Sequence, residues 1–293
     1  MAQITTPAGI TLEYETAGSE ADPPLLMVSG FGAQLVAWPR GFCERLAAGG
    51  RFVISYDNRD CGLSSRLDGR LVDMDAINAA AAAGDFARAR TLSPYTLDEM
   101  AADGLALLDA LGIERAHVLG ASMAGMIAQT IAIRHPERTR TLTSMMSTTG
   151  EPGYGESSAE AIQALLTPSP SERAGYIDAS ERALIWRSRR WPDVAAVRAV
   201  AAESFDRCYY AEGSSRQLAA IVASGSRADG LRALRVPTLV IHGLDDTLVA
   251  PSGGERTAEL VPDAALMLVP DMGHDRPEPL WPRLCEAILA HTT

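Results

Sequence analysis

The sequence predicts an α/β protein: a mainly parallel sheet flanked by helices on both faces, with a helical lobe inserted between two core strands. Three observations predict it. Short runs of Leu, Val, Ile and Met ending in turn residues recur along the chain. Longer stretches of helical periodicity separate them, and such alternation builds parallel sheets covered on both sides. Residues 149–230 then break the alternation, with helical segments and no convincing strand.

The elements follow in chain order. ITLEYETAG (10–18) alternates apolar and polar residues, as an edge antiparallel strand does. PLLMVSG (24–30), RFVISYD (51–57), AHVLGAS (116–122), LTSMMST (142–148), PTLVIHG (237–243) and ALMLVPD (265–271) read as strands buried on both faces. Residues 67–96 are Ala-rich and predict a helical excursion. Residues 97–111 put Leu97, Met100, Ala101, Leu105, Leu108 and Leu111 on one helix face, and Gly112 stops that helix. A second apolar helix over 123–134 ends before Pro136. Residues 1–148 and 231–293 are thus expected to form the core, and 149–230 a helical cap. The lobe holds Trp186, Trp191, Tyr209 and Tyr210, aromatic rings suited either to a pocket wall or to the lobe's own small core.

Composition narrows the function classes. The 293 residues are 47% hydrophobic and 22% charged, with a net charge of -11, which disfavours nucleic acid as a partner. The cluster Arg187, Arg189 and Arg190 in IWRSRRWPD reads as a solvated helix face. MAQITTPAGITLEYE has neither the basic nor the apolar region of a signal peptide, and no apolar run reaches the ~18 residues needed to span a bilayer. Cys43, Cys61, Cys208 and Cys285 lie far apart, with no CxxC pair and no metal-ligand spacing. The expectation is a cytoplasmic protein with reduced thiols and no metal.

VLGASMAGMIA (118–128) carries the chemistry. A strand passes directly into a helix at Ser122, and so abrupt a turn forces the corner residue into a strained conformation. The neighbours two places away must be small, as Gly120 and Ala124 are, and Gly125 adds clearance. The corner presents a hydroxyl at a helix amino terminus, where unpaired N–H groups stabilise negative charge.

A serine nucleophile needs a base, and the base an orienting acid. His117, His135, His242 and His291 occupy strand, helix-end or tail positions that read as structural. His274 instead sits in LVPDMGHDRPEP, a loop directly after the last strand, where parallel-sheet enzymes mount their chemistry. VIHGLDDT offers Asp245 and Asp246 as the acid, and their spacing leaves the choice open. The order Ser, Asp, His fits a known chain order of such triads. The Met123 N–H is one candidate oxyanion donor, and Phe31 in SGFGAQ is the second.

The chain resembles the α/β-hydrolase superfamily over nearly its whole length. The matching stretches are SGFGAQLVAWP, YDNRDCGLSS, GASMAGMIA, HGLDDTLVAP and MGHDRPEP. The resemblance implies an eight-stranded sheet and a cofactor-independent hydrolase, and it favours Asp246 as the acid. In detail the motifs are similar to the anthracycline (aclacinomycin-type) methyl esterase branch, which implies a mostly apolar small-molecule ester as substrate. Three positions depart from the family pattern: Ser29 stands for a histidine, Asp60 for a glycine, and Ala124 for the elbow's last glycine.

Other readings are weaker. LLMVSGFGAQL imitates a dinucleotide fingerprint, but Leu35 replaces its third glycine and Trp38-Pro39 would fall in the binding helix. A haloperoxidase or perhydrolase, a carbon–carbon bond hydrolase, or a ligand receptor on the same fold would use the same residues, and turnover separates the last of these from an esterase.

Overall fold

Apolar runs of this length bury both faces only by pairing with one another, and here they join in one sheet. The computed structural model describes residues 2–293. The strands are β1 (Ala2–Thr5), β2 (Thr11–Ala17), β3 (Pro24–Val28), β4 (Phe52–Tyr56), β5 (Ala116–Ala121), β6 (Thr139–Met145), β7 (Thr238–Gly243) and β8 (Ala265–Val269). Their spatial order is β1-β2-β4-β3-β5-β6-β7-β8. β2 runs antiparallel to both of its neighbours, β1 and β4, and every other pairing is parallel.

The helices are α1 (Arg40–Ala48), α2 (Met74–Ala82), α3 (Phe86–Leu92), α4 (Leu97–Ala110), α5 (Met123–Arg134), α6 (Ala159–Leu166), α7 (Arg173–Ser180), α8 (Val194–Arg207), α9 (Glu212–Ser224), α10 (Ala228–Ala233), α11 (Ser252–Leu260) and α12 (Trp281–His291). Alternate strand residues face opposite layers. Leu26, Val28, Ile54 and Val118 pack with α4 and α5, whereas Leu25, Met27, Val53 and Leu119 pack with α1 and α12. A capping box between Thr96 and Glu99 opens α4, and Gly112 follows it at φ +69°.

The fold class stands as expected, with corrections of detail. β1 was not foreseen, because its four residues are mostly exposed and carry no apolar pattern; it displaces β2 from the sheet edge. β6 begins three residues before 142, since the β-branched Thr139 already pairs with Ala116. β8 is an edge strand, paired only with β7, so Leu266 is 41% exposed rather than buried. Residues 67–96 contain α2 and α3, and α6 to α10 with a short 3-10 turn occupy the region between β6 and β7.

One topological feature positions the site. The chain leaves β3 for β4 on one side, then returns to β5 on the other. The loops after β3 and β5 therefore diverge at a switch point and open a crevice at the carboxyl ends of the strands.

Candidate active site

Ser122 caps α5 with φ +62° and ψ -126°, a left-handed backbone rare for a residue with a side chain. Its surroundings over-determine the strain. Ser122 N–H donates to Met145 O at 3.0 Å, and its own carbonyl accepts from Gly125 N–H and Ser147 Oγ, both at 2.8 Å. The small neighbours are compulsory: a Cβ on Gly120 would lie 2.0 Å from Ala124 O, and one on Gly125 would lie 2.5 Å from Ser147 Cβ. Ala124 itself is fully buried without such a clash, so this elbow accommodates alanine at the family's last glycine.

The adjacent acids part company here. Asp246 is buried and its Oδ2 accepts from His274 Nδ1 at 2.7 Å, while Oδ1 accepts from Leu248 and Val249 N–H, both at 2.9 Å. Asp245 is half-buried and makes no side-chain hydrogen bond among the described residues. Burial works against the Asp246 charge, but His274 beside it, with hydrogen bonds from His242 and His274, outweighs burial and holds its carboxyl down at about 2. His242, expected to be merely structural, is the unforeseen neighbour: Nε2 donates to Val249 O at 2.8 Å and lies 3.4 Å from Asp246 Oδ2.

With Nδ1 engaged, Nε2 is the His274 ring nitrogen that makes no hydrogen bond among the described residues. Both residues line one cavity of about 350 Å3, whose walls are mainly apolar, with Met126, Met146, Ile221 and Trp186 among them. Phe31 and Met123 line it as well, and neither N–H is used in a hydrogen bond among the described residues. A second cavity, of about 370 Å3, shares Phe31, Leu165 and Leu218 with the first and includes Tyr209 and Tyr210. Trp191 corrects an expectation. It packs against the core beside α1 and α12, under the Arg190 guanidinium, and does not reach the cavity.

The loop carrying Phe31 is braced without the family's histidine. Asn58 Nδ2 donates to Ser29 O at 2.6 Å, and Ser29 Oγ donates to Tyr56 O at 3.2 Å. Asp57 ties this loop to the next, accepting from Leu35 N–H at 2.6 Å and Leu63 N–H at 2.9 Å. From α9, Gln217 accepts from Gly32 N–H at 2.8 Å and donates to Arg59 O at 3.0 Å.

A family model described as the alpha/beta hydrolase fold matches residues 23–276. The chain belongs to the α/β-hydrolase fold family. Among similar proteins is the rhodomycin D methylesterase DauP of Streptomyces sp. (strain C5), 31% identical over an alignment covering 99% of this chain and 97% of that one. Another is DnrP of Streptomyces peucetius, of the same described activity, 31% identical with coverages of 97% and 95%. Among solved structures, the meta-cleavage product hydrolase CumD of Pseudomonas fluorescens IP01 superposes with a TM-score of 0.76 at 21% identity, covering 99% of this chain and 97% of that one. That likeness extends the hydrolase fold to residues outside the matched segment.

Sequence reasoning missed three contributors around this hydrolase site. Asp57 lies inside the matching stretch YDNRDCGLSS but was given no role there, and Gln217 carries no local motif, since its partners are distant in sequence. Arg276 lines the cavity two residues past His274, inside a stretch already singled out, but nothing local marked it. No helix among the described residues is long and apolar enough to cross a membrane, and no group of His, Cys, Asp and Glu there could hold a metal.

Proposed function

We propose that this hydrolase is a serine carboxylic ester hydrolase acting on a mostly apolar small molecule, with Ser122 as nucleophile, His274 as base and Asp246 as orienting acid. The observation carrying this reading is the 2.7 Å Asp246–His274 hydrogen bond beside a strained serine in one apolar cavity. His274 Nε2 takes the Ser122 proton as Oγ attacks the ester carbonyl, and Asp246 stabilises the imidazolium. Phe31 and Met123 N–H groups receive the oxyanion, each such donor being worth about 3 kcal/mol. The tetrahedral intermediate collapses, His274 protonates the departing alcohol, and water activated by His274 then releases the acid. No step calls for a metal or an organic cofactor.

A methyl ester of a polyketide-type compound is the substrate suggested by the two rhodomycin D methylesterases among the relatives. Residues 149–230 act as a cap domain whose Trp186 and Leu218 close over the ester. All four cysteines are unpaired, in keeping with a cytoplasmic enzyme.

Initial rates on p-nitrophenyl esters from C2 to C12, for wild type and Ser122→Ala, test the reading. Many turnovers lost in the variant are expected, together with loss of covalent labelling by a phosphonate. A single slow cycle, or labelling that persists at another serine, would replace the esterase with a receptor or a different nucleophile.

A further inference from the structure

The cavity wall contains a cation without a counter-ion. The Arg276 guanidinium lies over the Trp38 ring, 4.3 Å from its centroid, and Nη2 donates to Ala37 O at 3.0 Å. Its Nε is buried with no partner, Nη1 makes no hydrogen bond, and no carboxylate forms an ion pair with it among the described residues. The adjacent carboxylate is committed elsewhere. Asp275 Oδ1 accepts from Ser188 N–H at 3.1 Å and Gly273 N–H at 3.3 Å, and Oδ2 faces Arg187 at 3.9 Å. Asp275 thus faces Arg187, and Arg276 has no carboxylate within ion-pair distance among the described residues, in a protein whose net charge is -11.

Arg276 is half-buried as a residue, but a buried guanidinium Nε with no acceptor is costly unless something fills it. Burial, helped by Arg187 and opposed by Asp275, pulls the Arg276 pKa down to about 10, so it stays a cation at neutral pH. Trp38, Arg276, Ser122 and His274 all line the one cavity. Stacking on Trp38 holds the planar fork in a fixed direction, as recognition of an oxyanion requires.

We propose that Arg276 is the binding site for an anionic oxygen of the substrate, a carboxylate or a phenolate carried on the same molecule as the ester. This rests on the esterase reading of the cavity and adds a substrate class to it: esters that also bear an acidic group.

The test compares p-nitrophenyl hydrogen glutarate with p-nitrophenyl pentanoate, for wild type, Arg276→Gln and Arg276→Lys. Wild type is expected to prefer the carboxylated ester in kcat/KM, mostly through KM. That preference should fall about ten- to hundredfold in Arg276→Gln, the range for a charged hydrogen bond, and be partly kept in Arg276→Lys. No preference in wild type, or the same preference in Arg276→Gln, overturns the assignment. Titration calorimetry of the Ser122→Ala protein with glutarate and with dimethyl glutarate keeps the two proposals apart. If neither ester turns over yet glutarate alone binds, the esterase reading fails and the anion site stands. Equal or absent binding of both compounds sinks the anion site whatever the catalysis.

Discussion

Asp245 and Asp246 are chemically identical neighbours, and only their surroundings set them apart. Asp246 is buried and accepts from His274 and from two backbone N–H groups; Asp245 is half-buried and has no such restraint. Asp246→Asn is expected to lower kcat by roughly 10³–10⁴-fold by disturbing the His274 tautomer and stranding the imidazolium. Asp245→Asn should stay within about twofold, and equal losses in steady-state rates would reassign the acid. The same environment links Asp246 to stability. Its carboxyl, at about 2 when folded against 3.8 ordinarily, is depressed, so the charge stabilises the fold above about pH 4. That contribution, about 2 kcal/mol, is lost as pH falls through 2. Acid titration followed by circular dichroism should therefore show a steeper loss of stability between pH 4 and 2 in wild type than in Asp246→Asn.

At the scale of elements, the β5–α5 corner works because backbone, not side chains, fills it. Gly120→Ala would drive a Cβ to 2.0 Å from a carbonyl oxygen that cannot move without unwinding the first turn of α5. A loss of about 3 kcal/mol or more, with activity gone, is the expected outcome in urea denaturation and rate measurements. Ala124→Gly makes the opposite point. It restores the family residue inside a helix, so it should cost about 1 kcal/mol through backbone entropy while leaving kcat nearly unchanged. A large rate change in Ala124→Gly would mean that the alanine methyl tunes the elbow.

Across the whole molecule, the lobe between β6 and β7 is tied down at the loops that form the site. Arg207 reaches Asp57 at 3.0 Å, and Arg216 grips Asp60 with two hydrogen bonds of 2.9 Å, both Asp60 and Arg216 being buried. Asp60 pays for this contact with φ +62°, which is why glycine is the family residue there. Asp60→Gly should relieve about 1 kcal/mol of strain but strand the buried Arg216 charge, for a net loss of about 2–3 kcal/mol in urea denaturation. Adding Arg216→Met to Asp60→Gly should recover at least half of that loss. A double variant no more stable than Asp60→Gly would show that the pair does not couple lobe to core.

Local pattern alone determined much of this protein. Unbroken apolar runs marked the buried strands, 3.6-residue periodicity marked α4, and the lack of any spare residue between β5 and α5 marked Ser122. The loop position of His274 was equally legible, because the chemistry of parallel sheets gathers at strand ends. Tertiary structure alone supplied the rest: the hydrogen bond that joins His274 to Asp246 and not to Asp245, Trp186 without Trp191 at the cavity, Arg276 without an ion-pair partner, and the exposed β1 and β8 edges. The physical reason is range. A turn or a helix face is fixed by residues within a few positions, whereas Asp60 and Arg216 are 156 positions apart and Asp246 and His274 are 28 apart. Their pairing depends on strand order and helix packing, which no neighbouring residue encodes.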